Sequence, residues 1–294
     1  MMRVLVAAVS LPSLLLILSS SAHAESPCRA MLAPSAVSLR DTGLDQNRSA
    51  CAMDAISIGT RTQATIDTPN FYGTLGASLM LDYRYLHAAG FEFSVGARLL
   101  DYRFAQSAVF TEGEFSVGPI SVGVLRPRST QWWGIPVAIG HAIRFEVPYT
   151  NSSDENLTVA ASPTFLVTLT PASTFHIHSR IAALLWSVLP EAGADSRAAL
   201  LASTDIAYAP ASVFALTTGI EAQGGWYGVG LDHIQARAGF RTGIGAVGAL
   251  EVSAGTTLAG AERNDLVFWI GYRSIKATEP RPKRSRLSDW ADQL

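Results

Sequence analysis

Hydrophobic and polar residues alternate along most of the chain. From about Ile56 to Arg273 the dominant period is two, the spacing of strands whose two faces meet different surroundings. In the stretch Phe71 to Tyr85 the odd positions read Phe71, Gly73, Leu75, Ala77, Leu79, Leu81, Tyr83 and Tyr85. The even ones include Thr74, Gly76, Ser78, Asp82 and Arg84. Phe91, Phe93, Val95, Ala97 and Leu99 then alternate with Glu92, Ser94, Gly96 and Arg98. Similar strands are predicted over Trp132 to Val147, Leu157 to Leu169, Phe175 to Leu185, Leu200 to Tyr208, Phe214 to Ala222, Ile234 to Phe240, Leu250 to Leu258 and Leu266 to Tyr272.

Two near-identical segments, LDYRY ending at Tyr85 and LDYRF ending at Phe104, fit this pattern as boundaries. Aromatic rings collect where lipid meets water, because they are apolar in body and tolerate a polar edge. Phe71 and Tyr72 face Tyr83 and Tyr85 across one apolar stretch, and Phe91 and Phe93 face Tyr102 and Phe104 across the next. Strands of this length, rising ~3.3 Å per residue and tilted by roughly 40°, cover an apolar band plus its flanking girdles. The two motifs are thus expected at opposite interfaces of one membrane, and the fold expected is an all-β, closed antiparallel transmembrane barrel of about twelve strands.

Three places strain the pattern. Val109 to Arg126 changes phase at Gly118-Pro119, which reads as one strand carrying a bulge. Pro136 and Pro163 fall inside predicted strands, where each forfeits a ladder hydrogen bond and implies a local bulge or kink. His141 stands as a polar residue on an otherwise apolar face. With the bulge, connections alternate between short and longer, and both chain ends fall on the short-turn side, the periplasmic one in such barrels.

Composition adds a compartment. Arg3, the apolar run Val4 to Leu18 and the A-x-A arrangement of Ala22 and Ala24 read as a secretory signal peptide, residues 1–24. The remainder divides into a periplasmic N-terminal segment 25–55, the barrel 56–273 and a tail 274–294. That tail is basic, with Lys276, Arg281, Lys283, Arg284 and Arg286 among prolines, and is expected to be disordered and able to touch peptidoglycan. Charged residues make up only 16% of the chain and lie close to balance, 22 basic against 24 acidic, so nothing suggests a nucleic-acid partner. The two cysteines, Cys28 and Cys51, are expected to pair in an oxidising compartment, closing a loop worth roughly 3 kcal/mol; two unpaired thiols are the alternative.

Together the leader, the dyad alternation, the aromatic girdles and the alternating loops resemble Gram-negative outer-membrane β-barrel proteins of the twelve-strand size class. The resemblance covers about Ile56 to Arg273. It implies an outer-membrane location with lipid, lipopolysaccharide and the barrel-assembly machinery as partners. One departure is the 22 residues that follow Tyr272, where such barrels usually end on an aromatic of the last strand.

The inward face holds most of the charge: Asp82, Arg84, Glu92, Arg98, Glu112, Glu114, Arg144, Glu146, Arg180, Asp205, Glu221, Arg237, Arg241 and Glu251. Such a network either fills the lumen or lines a selective pore. The expected role is therefore non-enzymatic, a small-solute channel or a structural barrel, with no cofactor. His176 and His178 point the same way from one strand and, with Asp205, form a weak metal candidate. Outer-membrane hydrolases are the rival class. Ser179 follows His178 directly and Asp232 directly precedes His233, so each pair faces opposite sides and no proton relay forms within it. A secreted soluble β-barrel, in which Asn47, Asn151 and Asn156 would head glycosylation triplets, is disfavoured by the apolar face repeated on every strand.

Overall fold

A computed structural model describes residues 49–52, 54–67, 72–87, 90–106, 111–147, 157–172, 174–189, 195–211, 214–225, 230–244, 248–261 and 265–275. The signal-peptide reading, Cys28 and the basic tail lie outside the described residues. Thirteen hydrogen-bonded segments follow in order: β1 (Ala55–Asp67), β2 (Tyr72–Leu86), β3 (Glu92–Gln106), β4 (Thr111–Ser116), β5 (Ile120–Trp132), β6 (Ile135–Val147), β7 (Leu157–Ala172), β8 (Phe175–Leu189), β9 (Asp195–Ala211), β10 (Phe214–Gly224), β11 (Leu231–Ile244), β12 (Gly248–Ala259) and β13 (Leu266–Ile275). All pair antiparallel with their sequence neighbours, except that β4 and β5 lie end to end along β3. They are two halves of one strand, so the wall has twelve. It closes where β1 pairs with β13, from Ala55 opposite Ile275 to Ala64 opposite Leu266. Closure matters physically, since a lipid-facing sheet edge would leave a row of unsatisfied amides and carbonyls.

The wall is inverted relative to a soluble protein. Val95, Ile181 and Leu258 are half exposed or more on the outer surface, while Glu92, Arg241 and Asp205 are almost wholly buried. A water-facing exterior would need the reverse. We expect Ile181→Arg, at mid-height of β8, to destabilise the barrel by about 2–4 kcal/mol in lipid, and Tyr208→Arg near the strand end by about 1 kcal/mol or less. Guanidinium unfolding in vesicles reads the contrast, and equal costs at the two depths would refute a lipid-facing exterior.

Connections on one end are mostly short: two residues at β5–β6, β7–β8 and β9–β10, three at β11–β12, and five at β2–β3. At the other end they run from four residues to the nine between β6 and β7. One of the two-residue turns is Trp133–Gly134, with φ of 50° and 79°. Two successive left-handed residues match the right-handed twist of a hairpin, and Trp133 holds that conformation without glycine's freedom. LDYRY closes β2 at the short-turn end and LDYRF closes β3 at the long-loop end, as the girdle argument required. There Tyr102 packs on Phe115, ring centres 4.4 Å apart.

The phase change at Gly118-Pro119 has a partner the alternation did not reveal. Leu79 pairs with Leu100 but Met80 pairs with Arg98, so Leu99 is an extra residue in β3. Leu99 and Leu100 therefore both lie exposed on the wall. The β3 pairing keeps one register on both sides of the Gly118-Pro119 break, so the two adjacent strands switch phase at the same level. The expected bulges at the other prolines do not form. Pro163 pairs with Ile143 of β6, while the β7–β8 ladder omits Ser162 and Pro163 and resumes in the same register. A missing N–H costs ladder bonds there but needs no added residue. Pro136 sits beyond the last β6–β7 pair, where its missing donor faces no strand. His141 lies opposite Arg126 and packs on the ring of Phe165, with centres 5.3 Å apart.

Candidate functional site

The short stretch that precedes β1 lies against the lumen wall. Ala50, Cys51 and Ala52 are buried with Leu125, Ala138 and Leu166, all on inward positions of β5, β6 and β7. The Ala50 amide donates to Thr168 Oγ1 at 3.0 Å. Asp54 Oδ1 accepts the Leu86 amide at the end of β2, fixing where the chain joins the wall. The described part of the predicted periplasmic segment is thus a patch of floor inside the barrel. The alternation missed it because the segment is too short to show a period. Small residues that can enter a crowded lumen were its only signal.

Beyond this patch, away from the short turns, a cavity of about 360 Å³ occupies the lumen. Its walls include Ser121, Arg144, Ser162 and Thr164, each nearer the long-loop end of its strand than the floor contacts on that strand. Arg84 Nε donates to Asp82 Oδ2 at 2.7 Å, Arg144 Nε lies 3.2 Å from Glu146 Oε1, and Arg144 Nη2 donates to Ser121 Oγ at 2.6 Å. Same-strand neighbours two apart share a face, so the sequence alone sets the first two pairs.

The other half of the lumen is nearly filled, leaving a cavity of only about 40 Å³ among Asp205, Arg237, Arg241 and Glu251. Asp205, Gly219 and Arg237 stand in one cross-strand row on β9, β10 and β11. Any side chain on Gly219 would run into the Asp205 carboxylate. Because that place is empty, Arg237 reaches across the intervening strand: Nε and Nη2 donate to Oδ1 at 2.9 and 2.7 Å, and Nη2 donates to Oδ2 at 2.8 Å. Nearby, Arg241 donates to Glu251 at 3.1 Å, and Arg180 lies 3.8 Å from Glu221, which also faces His233 at 3.6 Å. Arg273 of the last strand donates to Ser57 of the first at 3.2 Å, tying the closing seam from within.

Most of the predicted inward charges therefore meet in the lumen. Glu112 and Glu114 do not: they are exposed on β4, beside the long-loop end of β3. Arg61 and Arg273 join the inward set: Arg61 lines the cavity and Arg273 is buried, and Ser57, Gly59 and Arg61 alternate with Ile56 and Ile58 as clearly as any stretch. His176 and His178 do share a face, their rings stacked 6.3 Å apart. Their Nδ1 atoms hydrogen-bond Thr170 and Thr168 at 3.3 and 3.0 Å, and Asp205 is committed to Arg237. Among the described residues no three histidine, cysteine or acidic side chains gather as a metal would need. Ser179 points away from His178 and hydrogen-bonds Thr204 at 3.1 Å, and Asp232 accepts from Gln223 while His233 turns to Glu221. Cys51 is buried at the floor; its expected pairing with Cys28 lies outside the described residues.

An inside-out, closed, antiparallel wall with a polar lumen defines a barrel of the outer-membrane kind. No protein-family profile matches the chain, and no curated protein matches its sequence. Among solved structures the chain is similar to an outer-membrane channel from Pseudomonas putida F1, with a TM-score of 0.57 and 10% identity over 80% of this chain and 99% of that one. It is also similar to the transport unit of the autotransporter AIDA-I from Escherichia coli, with a TM-score of 0.51 and 10% identity over 87% of this chain and 100% of that one. Those two proteins do different work on one architecture, so the likeness defines the fold and leaves function to the lumen.

Proposed function

We propose that the chain is a small-solute channel of the Gram-negative outer membrane, narrowed at its periplasmic end by its own N-terminal segment. The cavity of about 360 Å³ carries this reading: it lies within the barrel wall, is lined by both charged and apolar side chains, and shares Leu166 and Ala142 with the packing around the Ala50–Ala52 patch. A barrel that served only as a structural plug would gain by filling that space, as the β9–β12 half is filled but for about 40 Å³. Short turns and both chain ends face the periplasm, by the convention that outer-membrane barrels place longer loops outside. Lipopolysaccharide and phospholipid are the solvent of the outer wall, and the barrel-assembly machinery inserts it. The basic tail is a candidate contact for peptidoglycan, and Cys28 is the proposed disulfide partner of Cys51. Purified, refolded chain in planar bilayers is expected to give small stepwise currents. Folded protein, verified by heat-modifiable gel mobility, that passes no current in either orientation would end this proposal.

A further inference from the structure

We infer that the lumen cavity is a binding site for a small oxyanionic solute, one bearing carboxylate or phosphate groups, with Arg98 as its chief recognition residue. This deepens the channel reading and rests on it for the route by which the ligand arrives.

Charge in the lining is the first observation. Five arginines, Arg61, Arg84, Arg98, Arg144 and Arg180, are among the residues lining the cavity, against two acidic ones, Asp82 and Glu146. Each carboxylate is held by an arginine two residues away on its own strand. Arg61, Arg98 and Arg180 project from three other points on the wall, β1, β3 and β8, and Arg180 also stands 3.8 Å from Glu221. Low-dielectric walls focus such a field, and guanidinium forks match carboxylate and phosphate oxygens two at a time.

Backbone placement of Arg98 is the second. Both breaks in the wall's alternation flank it: the extra residue Leu99 on the β2 side and the Gly118-Pro119 interruption on the β4–β5 side. Its amide donates to the Pro119 carbonyl at 3.1 Å, and its carbonyl accepts the Gly118 amide at 2.9 Å. The Arg98 stem lies so close to Gly118 that a Cβ there would need the stem to move. Paired irregularities that aim one side chain into a cavity are how sheets position functional groups. Volume is the third: about 360 Å³ lies at the small end of ligand pockets and suits a compact organic acid.

Calorimetric titration of the full-length protein in detergent tests the site, with citrate as probe and sorbitol as an uncharged control of similar size. Citrate is expected to bind and sorbitol not. Arg98→Gln is expected to weaken citrate at least about tenfold, the loss of one charge-assisted contact. Arg180→Gln, on another wall, gives a second measurement should the first variant fail to fold. Citrate that binds no better than sorbitol, or a folded variant with unchanged affinity, overturns the inference. Citrate binding without bilayer currents would retire the channel and leave the site. Currents with no preference for the acid would do the opposite.

Discussion

Arg237→Ala is expected to cost the folded barrel about 3–5 kcal/mol, because it leaves the Asp205 carboxylate buried without its partner. Asp205 is 2% exposed and receives three hydrogen bonds from that one guanidinium, which the variant removes together. Removing both residues should be far milder: the double variant Asp205→Ala, Arg237→Ala discards the desolvation cost with the attraction, and is expected to recover most of the loss. Guanidinium unfolding of the three variants beside the parent measures this. A double variant as unstable as Arg237→Ala would mean that the pair is valued for shape and not for charge.

Deleting residues 25–52 is expected to raise single-channel conductance several-fold while the barrel still folds. Ala50, Cys51 and Ala52 are buried against inward side chains of three strands, and the Ala50 amide donates to Thr168. The twelve-stranded ladder closes without them, through β1 and β13, and in the proposed channel their volume would stand where a solute leaves. Planar-bilayer recordings of the truncated and full chains decide it. Equal conductance would place the constriction elsewhere, and the filled half around Asp205 and Arg237 would be the first place to look.

Much of the architecture was legible because a membrane wall writes itself into single residues. Each strand position faces either acyl chains or the lumen, so Leu75, Val95 and Ile181 against Gly76, Ser94 and Arg180 report the fold one residue at a time. The same property made Leu99 hard to see. Leu99, Leu100, Tyr102 and Phe104 contain a change of parity, and a pattern of large apolar residues absorbs one extra leucine without a visible defect. Only the cross-strand pairing exposes it. Pro163 shows the converse: a visible defect in sequence that the ladder tolerates by skipping two residues.

The alternation in the sequence already carried the facing of most strand positions and the antiparallel barrel class, because it is local and lipid enforces it strand by strand. It misplaced the β5–β6 turn, since Trp133 and Gly134 fall inside the stretch Trp132 to Val147 that reads as one strand. Tertiary structure alone decided which inward groups meet: that Arg237 crosses a glycine to Asp205, that Arg98 is set between two breaks, and that Ala50 lies on Thr168. Those contacts join residues up to 118 positions apart. They depend on register and barrel stagger, which are sums over the whole circumference and leave no mark at any one position.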